Sequence, residues 1–127
     1  LRRDGWAALT ATDKTVAAVW LFTAGVGNSG FSGYFSSSRS DHANCTPAAL
    51  RAIGAEALAG LAEAANGVFV PDGPPSDRAV RRAAVAALPP AAHETLAELD
   101  RKYLACDEDP DELLEAFLQT ERKIAGE

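Results

Sequence analysis

Apolar residues recur at steps of three and four along most of this chain, in blocks separated by proline, glycine and serine. The first block predicts a helix over roughly residues 13–26. Val16, Val19, Trp20, Phe22, Thr23 and Val26 fall at helical spacing behind Thr12 or Asp13, either of which can cap its start. A second, short helix follows Asn28, where Phe31, Tyr34 and Phe35 at i, i+3 and i+4 make one aromatic face. After a polar loop, Thr46 and Pro47 open a helix that runs to about residue 65. It turns Leu50, Ile53, Ala57, Leu58, Leu61, Ala62 and Ala65 inward and Arg51, Glu56 and Glu63 outward. Gly54 and Gly60 inside it cost about 1 kcal/mol each against alanine, which implies another backbone packed closely there. Asn66 and Gly67 end it, Gly67 being suited to a left-handed cap.

Pro71 to Pro75 form a surface loop, after which Ser76 or Asp77 caps a short helix carrying Val80, Ala84 and Leu88. Pro89 and Pro90 break it and begin another, with Ala92, Leu96, Leu99, Tyr103 and Cys106 as a stripe one helix wide. The last helix opens at Asp109, with Pro110 next and Glu112 three residues on, and buries Leu113, Leu114, Phe117, Leu118 and Ile124. The prediction is all-α: a single compact multi-helix domain of six or seven helices over residues 1–127, with 1–10 disordered. The one exception to helix is a short extended Val68-Phe69-Val70.

Composition agrees, since alanine dominates the apolar fraction with leucine next, a balance that favours helix over sheet. A chain of 127 residues can bury a core without disulfides or metal. No run reaches the ~18 apolar residues of a membrane span. Arg2 and Arg3 ahead of the apolar 16–26 segment faintly resemble a signal peptide, but Asp4 and Asp13 interrupt it and no cleavage site follows, so a buried helix is expected. The chain starts at Leu1 and has no methionine, so the natural N-terminus is expected to lie elsewhere. Cys45 and Cys106 form no C-x-x-C pair, and a reducing cytoplasm is the expected compartment.

Catalytic chemistry finds little support. Gly25-Val26-Gly27-Asn28-Ser29-Gly30 spells a dinucleotide-binding G-x-G-x-x-G string, but a phosphate loop needs a strand before it and a βαβ unit around it, and the flanks here are helical. Asp41, His42 and Cys45 offer an acid, a base and a nucleophile within one serine-rich loop, where neighbours seldom hold triad geometry. His93 with Glu94 in a first helical turn reads as a solvated face. No metal-ligand spacing is present. The expectation is a protein without catalytic residues, cofactor or metal.

With the helices placed, Asn28-Ser29-Gly30-Phe31-Ser32-Gly33-Tyr34-Phe35 resembles the signature of the DNA mimic protein family, small all-helical bacterial domains. Ala48-Ala49-Leu50-Arg51-Ala52-Ile53-Gly54-Ala55 resembles that family's second block, and the likeness extends over about residues 10 to 120. Ser29 stands where the family usually has glycine and Gly33 where it often has glutamine, so no role of that glutamine carries over. The signature positions Asn28, Gly30, Phe31, Tyr34, Phe35 and Gly54 read as architecture. The resemblance implies carboxylates displayed where DNA displays phosphates, to a DNA-binding protein.

Charge adds a location. Residues 1–51 carry Asp4, Asp13 and Asp41 against Arg2, Arg3, Lys14, Arg39 and Arg51, a net of +2. From Cys106 onward Asp107, Glu108, Asp109, Asp111, Glu112, Glu115, Glu121 and Glu127 face only Arg122 and Lys123, a net of −6, equal to that of the whole chain. The expected partner-binding residues are therefore Asp107, Glu108, Asp109, Asp111, Glu112 and Glu115, and the expected partner is a basic protein. A homodimer would double the acids and supply two-fold symmetry. Arg78, Arg81 and Arg82, at i, i+3 and i+4, are expected to answer nearby carboxylates. Neither direct nucleic-acid binding nor membrane binding is expected at so low a pI. A second reading is a small enzyme or ligand-binding domain with a pocket near Asn28, Tyr34 and His42.

Overall fold

The structure is a computed structural model that describes residues 3–126, with side-chain environments from Gly5 onward. Leu1 and Arg2, part of the 1–10 stretch expected to be disordered, and Glu127 lie outside the described residues. Seven α-helices follow one another among the described residues, with no strand: α1 Arg3–Ala7, α2 Ala11–Phe35, α3 Thr46–Ala52, α4 Glu56–Asn66, α5 Arg78–Ala86, α6 Pro90–Ala105 and α7 Pro110–Ile124. The all-α prediction of six or seven helices holds. Two short 3₁₀ turns, Ser38–Ser40 and Ala43–Cys45, join α2 to α3.

The central helix α2 is longer than its sequence implied. Thr10, not Thr12 or Asp13, caps it, its hydroxyl accepting the Asp13 N–H at 3.1 Å. The helix then runs straight through Asn28, which is exposed and caps nothing. The expected second helix is its continuation past a kink at Gly30, where φ 70 and ψ 179 interrupt the helical path. Such a backbone is essentially restricted to glycine. Beyond the kink the Phe31 N–H donates to Asp100 Oδ1 of α6 at 2.7 Å. A Cβ added to Gly30 would stand 2.9 Å from Asp100 Oδ2, so both the conformation and the approach of Asp100 demand glycine here.

The core forms around the kinked half of α2. Phe22, Phe31, Tyr34 and Phe35 are buried together with Leu50, Leu58, Leu96 and Leu99 from α3, α4 and α6. The Phe22 ring lies 5.9 Å from Phe31, 5.6 Å from Tyr34 and 6.0 Å from Tyr103, in tilted or edge-on contacts. Geometries of this kind add about 0.5–1.5 kcal/mol per pair beyond area burial.

Several expected details are corrected. The single helix over 46–65 is two, because Gly54 at φ +85 ends α3 in a Schellman turn, with the Ala55 N–H donating to Leu50 O at 2.9 Å. A Cβ at Gly54 or Gly60 would meet nothing within 4 Å, so no backbone packs closely there. Gly67 has φ −67 rather than a left-handed conformation. The chain then tightens into turns, with Val68 N–H to Ala65 O and Phe69 N–H to Asn66 O, which replaces the extended 68–70 segment. Ala57 is exposed in the first turn of α4. On α5 the buried residues are Arg81 and Val85, while Val80 is 56% exposed. Ile124 is 76% exposed, and α7 packs through half-buried Leu113, Leu114 and Phe117.

Gly30→Val should lower stability by about 1–3 kcal/mol or more, because it forces a branched side chain into a glycine-only conformation against a carboxylate. Thermal melts followed by circular dichroism measure this, and an unchanged melting temperature would show that the kink tolerates a side chain.

Candidate functional site

At the end of α6 the chain turns extended at Cys106 (φ −72, ψ 131) and crosses to α7. Asp109 (φ −104, ψ 100) is the N-cap of α7, its Oδ1 accepting the N–H groups of Asp111 at 3.0 Å and Glu112 at 3.2 Å. Glu108 folds back over α4. That helix begins after Ala55, which has no side-chain acceptor, and Glu108 supplies one, taking the Ala57 N–H at 3.0 Å and the Leu58 N–H at 2.8 Å. A carboxylate at a helix N-terminus both satisfies orphan N–H groups and meets the positive end of the dipole.

The six acids expected to bind a partner therefore divide. Glu108 and Asp109 are committed to backbone, whereas Asp107, Asp111, Glu112 and Glu115 are exposed. Among the described residues, none of these four is in an ion pair. Acids elsewhere are more often engaged. Glu56 and Glu63 pair with Arg51, Glu98 with Arg101, and Asp41 with Arg78 and Arg81. Glu121 accepts from the Thr12 hydroxyl at 3.2 Å, and Asp100 holds the kink of α2.

The arginine trio also divides: Arg78 and Arg81 answer a carboxylate, Asp41, as expected, and among the described residues Arg82 does not. Arg81 is 0% exposed. Its Nε donates to Phe35 O at 2.9 Å, Nη1 to Pro75 O at 3.0 Å and Ser76 O at 3.1 Å, and Nη2 to Ser37 O at 2.8 Å and Asp41 Oδ1 at 2.6 Å. Arg78 reaches Asp41 Oδ2 at 3.0 Å from the surface, and Arg82 is exposed. Burial by itself raises the Asp41 pKa, but the hydrogen bonds and charges of Arg78 and Arg81 outweigh it and hold the carboxyl below the usual range.

The three residues of the alternative pocket sit at different depths in the molecule. Asn28 is exposed along α2. Tyr34 is buried, its hydroxyl 3.4 Å from Thr46 Oγ1, and burial pushes its pKa up to about 12 against the opposing effects of Thr46 and Arg81. The His42 ring stacks on Trp6 of α1 with centroids 3.8 Å apart and planes 9° from parallel. Burial lowers its pKa, as do Arg81 and Lys14, while Asp41 opposes the shift. With Asp41 bound to two arginines and Cys45 exposed, the loop forms no acid–base–nucleophile relay. Among the described residues no three His, Cys, Asp or Glu are grouped to hold a metal, and no helix is long and apolar enough to cross a membrane.

A family model described as DMP19-like protein matches residues 7–121. The chain belongs to the DMP19-like family. No curated protein and no solved structure matches it. The family match takes in the Gly30 kink, the aromatic cluster, the Arg81 knot and all six acids of the 107–115 segment.

Two variants test the Arg81 knot. Arg81→Leu should cost about 3–5 kcal/mol, since it leaves four buried carbonyls without their donor and Asp41 with Arg78 alone. For Asp41 the folded pKa lies below the unfolded value, so its stabilisation is full above the ordinary carboxylate range and is lost as pH falls through the folded pKa. The stability gap between wild type and Asp41→Asn should therefore be widest near neutrality and close in acid, as read by urea unfolding across pH. A gap independent of pH would mean that Asp41 is not held ionised by the arginines.

Proposed function

We propose that this protein is a non-catalytic interaction module that presents the carboxylates of the 107–115 segment to a basic protein, in imitation of the phosphates that a DNA-binding partner would grip. The observation that carries the reading is the concentration in one short segment of Asp107, Asp111, Glu112 and Glu115, exposed and outside any ion pair among the described residues. The caps made by Glu108 and Asp109 support it further, because Glu108 pins the linker to α4 and Asp109 fixes the first turn of α7, where the free acids lie. A preorganised charged surface loses less side-chain and chain freedom on binding than a floppy tail.

The free acids recur more sparsely than the phosphates of one strand. Asp111 and Glu115 are one helical turn apart, about 6 Å at 1.5 Å per residue, and Asp107 extends the series beyond the helix. Duplex DNA carries a charge about every 3.4 Å along each strand. One chain is a short segment of such a row. Two chains about a two-fold axis would give a longer one and match the symmetry of a dimeric regulator, so the reading includes a homodimer.

The test is capture of basic DNA-binding proteins by the purified chain and by the triple variant Asp107→Lys, Asp111→Lys, Glu115→Lys. Glu108 and Asp109 are left intact so that the caps survive. The variant should bind at least about tenfold more weakly with its helicity retained, and wild-type binding should fall steeply between low and physiological salt. Equal capture by the variant, or binding indifferent to salt, would refute the acidic surface.

A further inference from the structure

An open cavity of about 320 Å³ lies at the far end of α6 from the acids. Its walls are Val68, Phe69 and Val70 on one side and Ala84, Ala87 and Leu88 on the other, with Pro89, at the foot of α6, closing it. Val70 is 83% exposed at one rim. At the other, half-exposed Val80 continues the α5 face of Ala84 and Ala87, at i, i+4 and i+7. Isolated exposed valines are ordinary, but two of them bordering an apolar cavity make a continuous apolar strip.

The unpaired charges beside this strip are acidic. Residues 67–77, which supply one wall and the approach to α5, contain no lysine or arginine and hold Asp72 and Asp77. Asp72 is exposed between the lining residues Val70 and Gly73, and Asp77 is exposed at the head of α5, its carboxylate accepting the Val80 N–H at 3.0 Å. The arginines of α5 lie elsewhere. Arg81 is buried, Arg78 is turned to Asp41, and Arg82 is two positions from both Val80 and Ala84 and so projects from the opposite side of the helix.

We infer that this groove is a second interaction surface, one that takes a short amphipathic segment of a partner protein, with apolar side chains at helical spacing flanked by lysine or arginine. The apolar strip receives the anchors, in the manner of a helix laid into a groove, and the acidic rim selects basic flanks over acidic ones. The surface is separate from the 107–115 acids. The groove adjoins the start of α6 and the acids follow its end, about 24 Å away for a helix of 16 residues. The inference does not rest on the imitation of DNA.

The probe is a fluorescein-labelled helical peptide of about 14 residues, built of alanine, with leucine at i, i+4 and i+7 and lysine on the flanks, followed by fluorescence anisotropy. A second peptide has glutamate in place of every lysine. Wild type should bind the lysine peptide at least about tenfold more tightly than the glutamate peptide, and Ala87→Trp, which fills the groove, should weaken that binding about tenfold. Asp72→Lys should weaken it severalfold. The triple variant Asp107→Lys, Asp111→Lys, Glu115→Lys should bind as wild type does. Should Ala87→Trp lower the melting temperature, Val70→Lys makes the same cut at a side chain already in water. No binding of the lysine peptide, equal binding of both peptides, or loss confined to the triple variant would each overturn the inference. The last two would point to unselective apolar filling and to capture by the α7 acids, and none of these outcomes by itself defeats the reading of that acidic segment.

Discussion

A guanidinium cut off from water must find protein acceptors for its five N–H donors or impose a severe penalty, and Arg81 finds five. Four are main-chain carbonyls from the end of α2, the turn after it and the loop before α5; the fifth is a carboxylate oxygen of Asp41. Because the donors of arginine are fixed in a planar fork, these segments can satisfy it only in one mutual arrangement. The loop from Pro71 to Asp77, which has no regular structure, thereby acquires a defined path across the end of the aromatic core. The groove wall formed by Val68 to Val70 and the position of α5 both follow from that path. An aliphatic replacement could fill the volume but would leave the carbonyls without partners.

The molecule treats its acids in two ways. Some are internal fasteners, among them Asp41 on the arginines, Asp100 at the kink, Glu108 on α4 and Asp109 on α7. Others, concentrated where α6 gives way to α7, have solvent as their partner. The fasteners are what make the free ones definite. Glu108 joins the linker to a helix 50 positions earlier in the chain, and Leu113, Leu114 and Phe117 pack α7 on the core, so the segment that carries the exposed carboxylates is seated on the body. An acidic surface of this kind differs from a disordered acidic tail, whose charges have no fixed separations.

Much of the helical scaffold was legible in the residues. The Leu96–Leu99–Tyr103 stripe, the caps at Asp77 and Asp109, the outward Arg51 and Glu63, and the aromatic triplet after Gly30 all follow from periodicity and capping chemistry. Gly54 was misread because the apolar spacing on either side of it stays in step with one continuous helix, and only the left-handed turn reveals the break. Arg81 answers a carboxylate as its charge implies, but its burial and its carbonyl acceptors are not legible, because those acceptors come from segments up to 46 residues away. The acidic segment of the candidate site was visible as a charge imbalance. Its division into caps and free groups was not, since the α4 N–H groups that claim Glu108 belong to a distant stretch. The groove was invisible for the same reason, its two walls meeting only in the fold.

The break in α2 has a consequence for how the molecule comes together. The carboxylate that receives the Phe31 N–H sits 69 residues further along the chain. Until α6 has emerged and docked, the aromatic turn lacks the acceptor at its first residue, and the rings of Phe31, Tyr34 and Phe35 lack the layer contributed by Leu96 and Leu99. The earlier part of α2 can wind by itself, but its core-building end waits for a distant closure. A truncated translation product ending before α6 would leave these aromatic side chains without the cover of Leu96 and Leu99, which makes the integrity of α6 a safeguard against aggregation as well as a structural support.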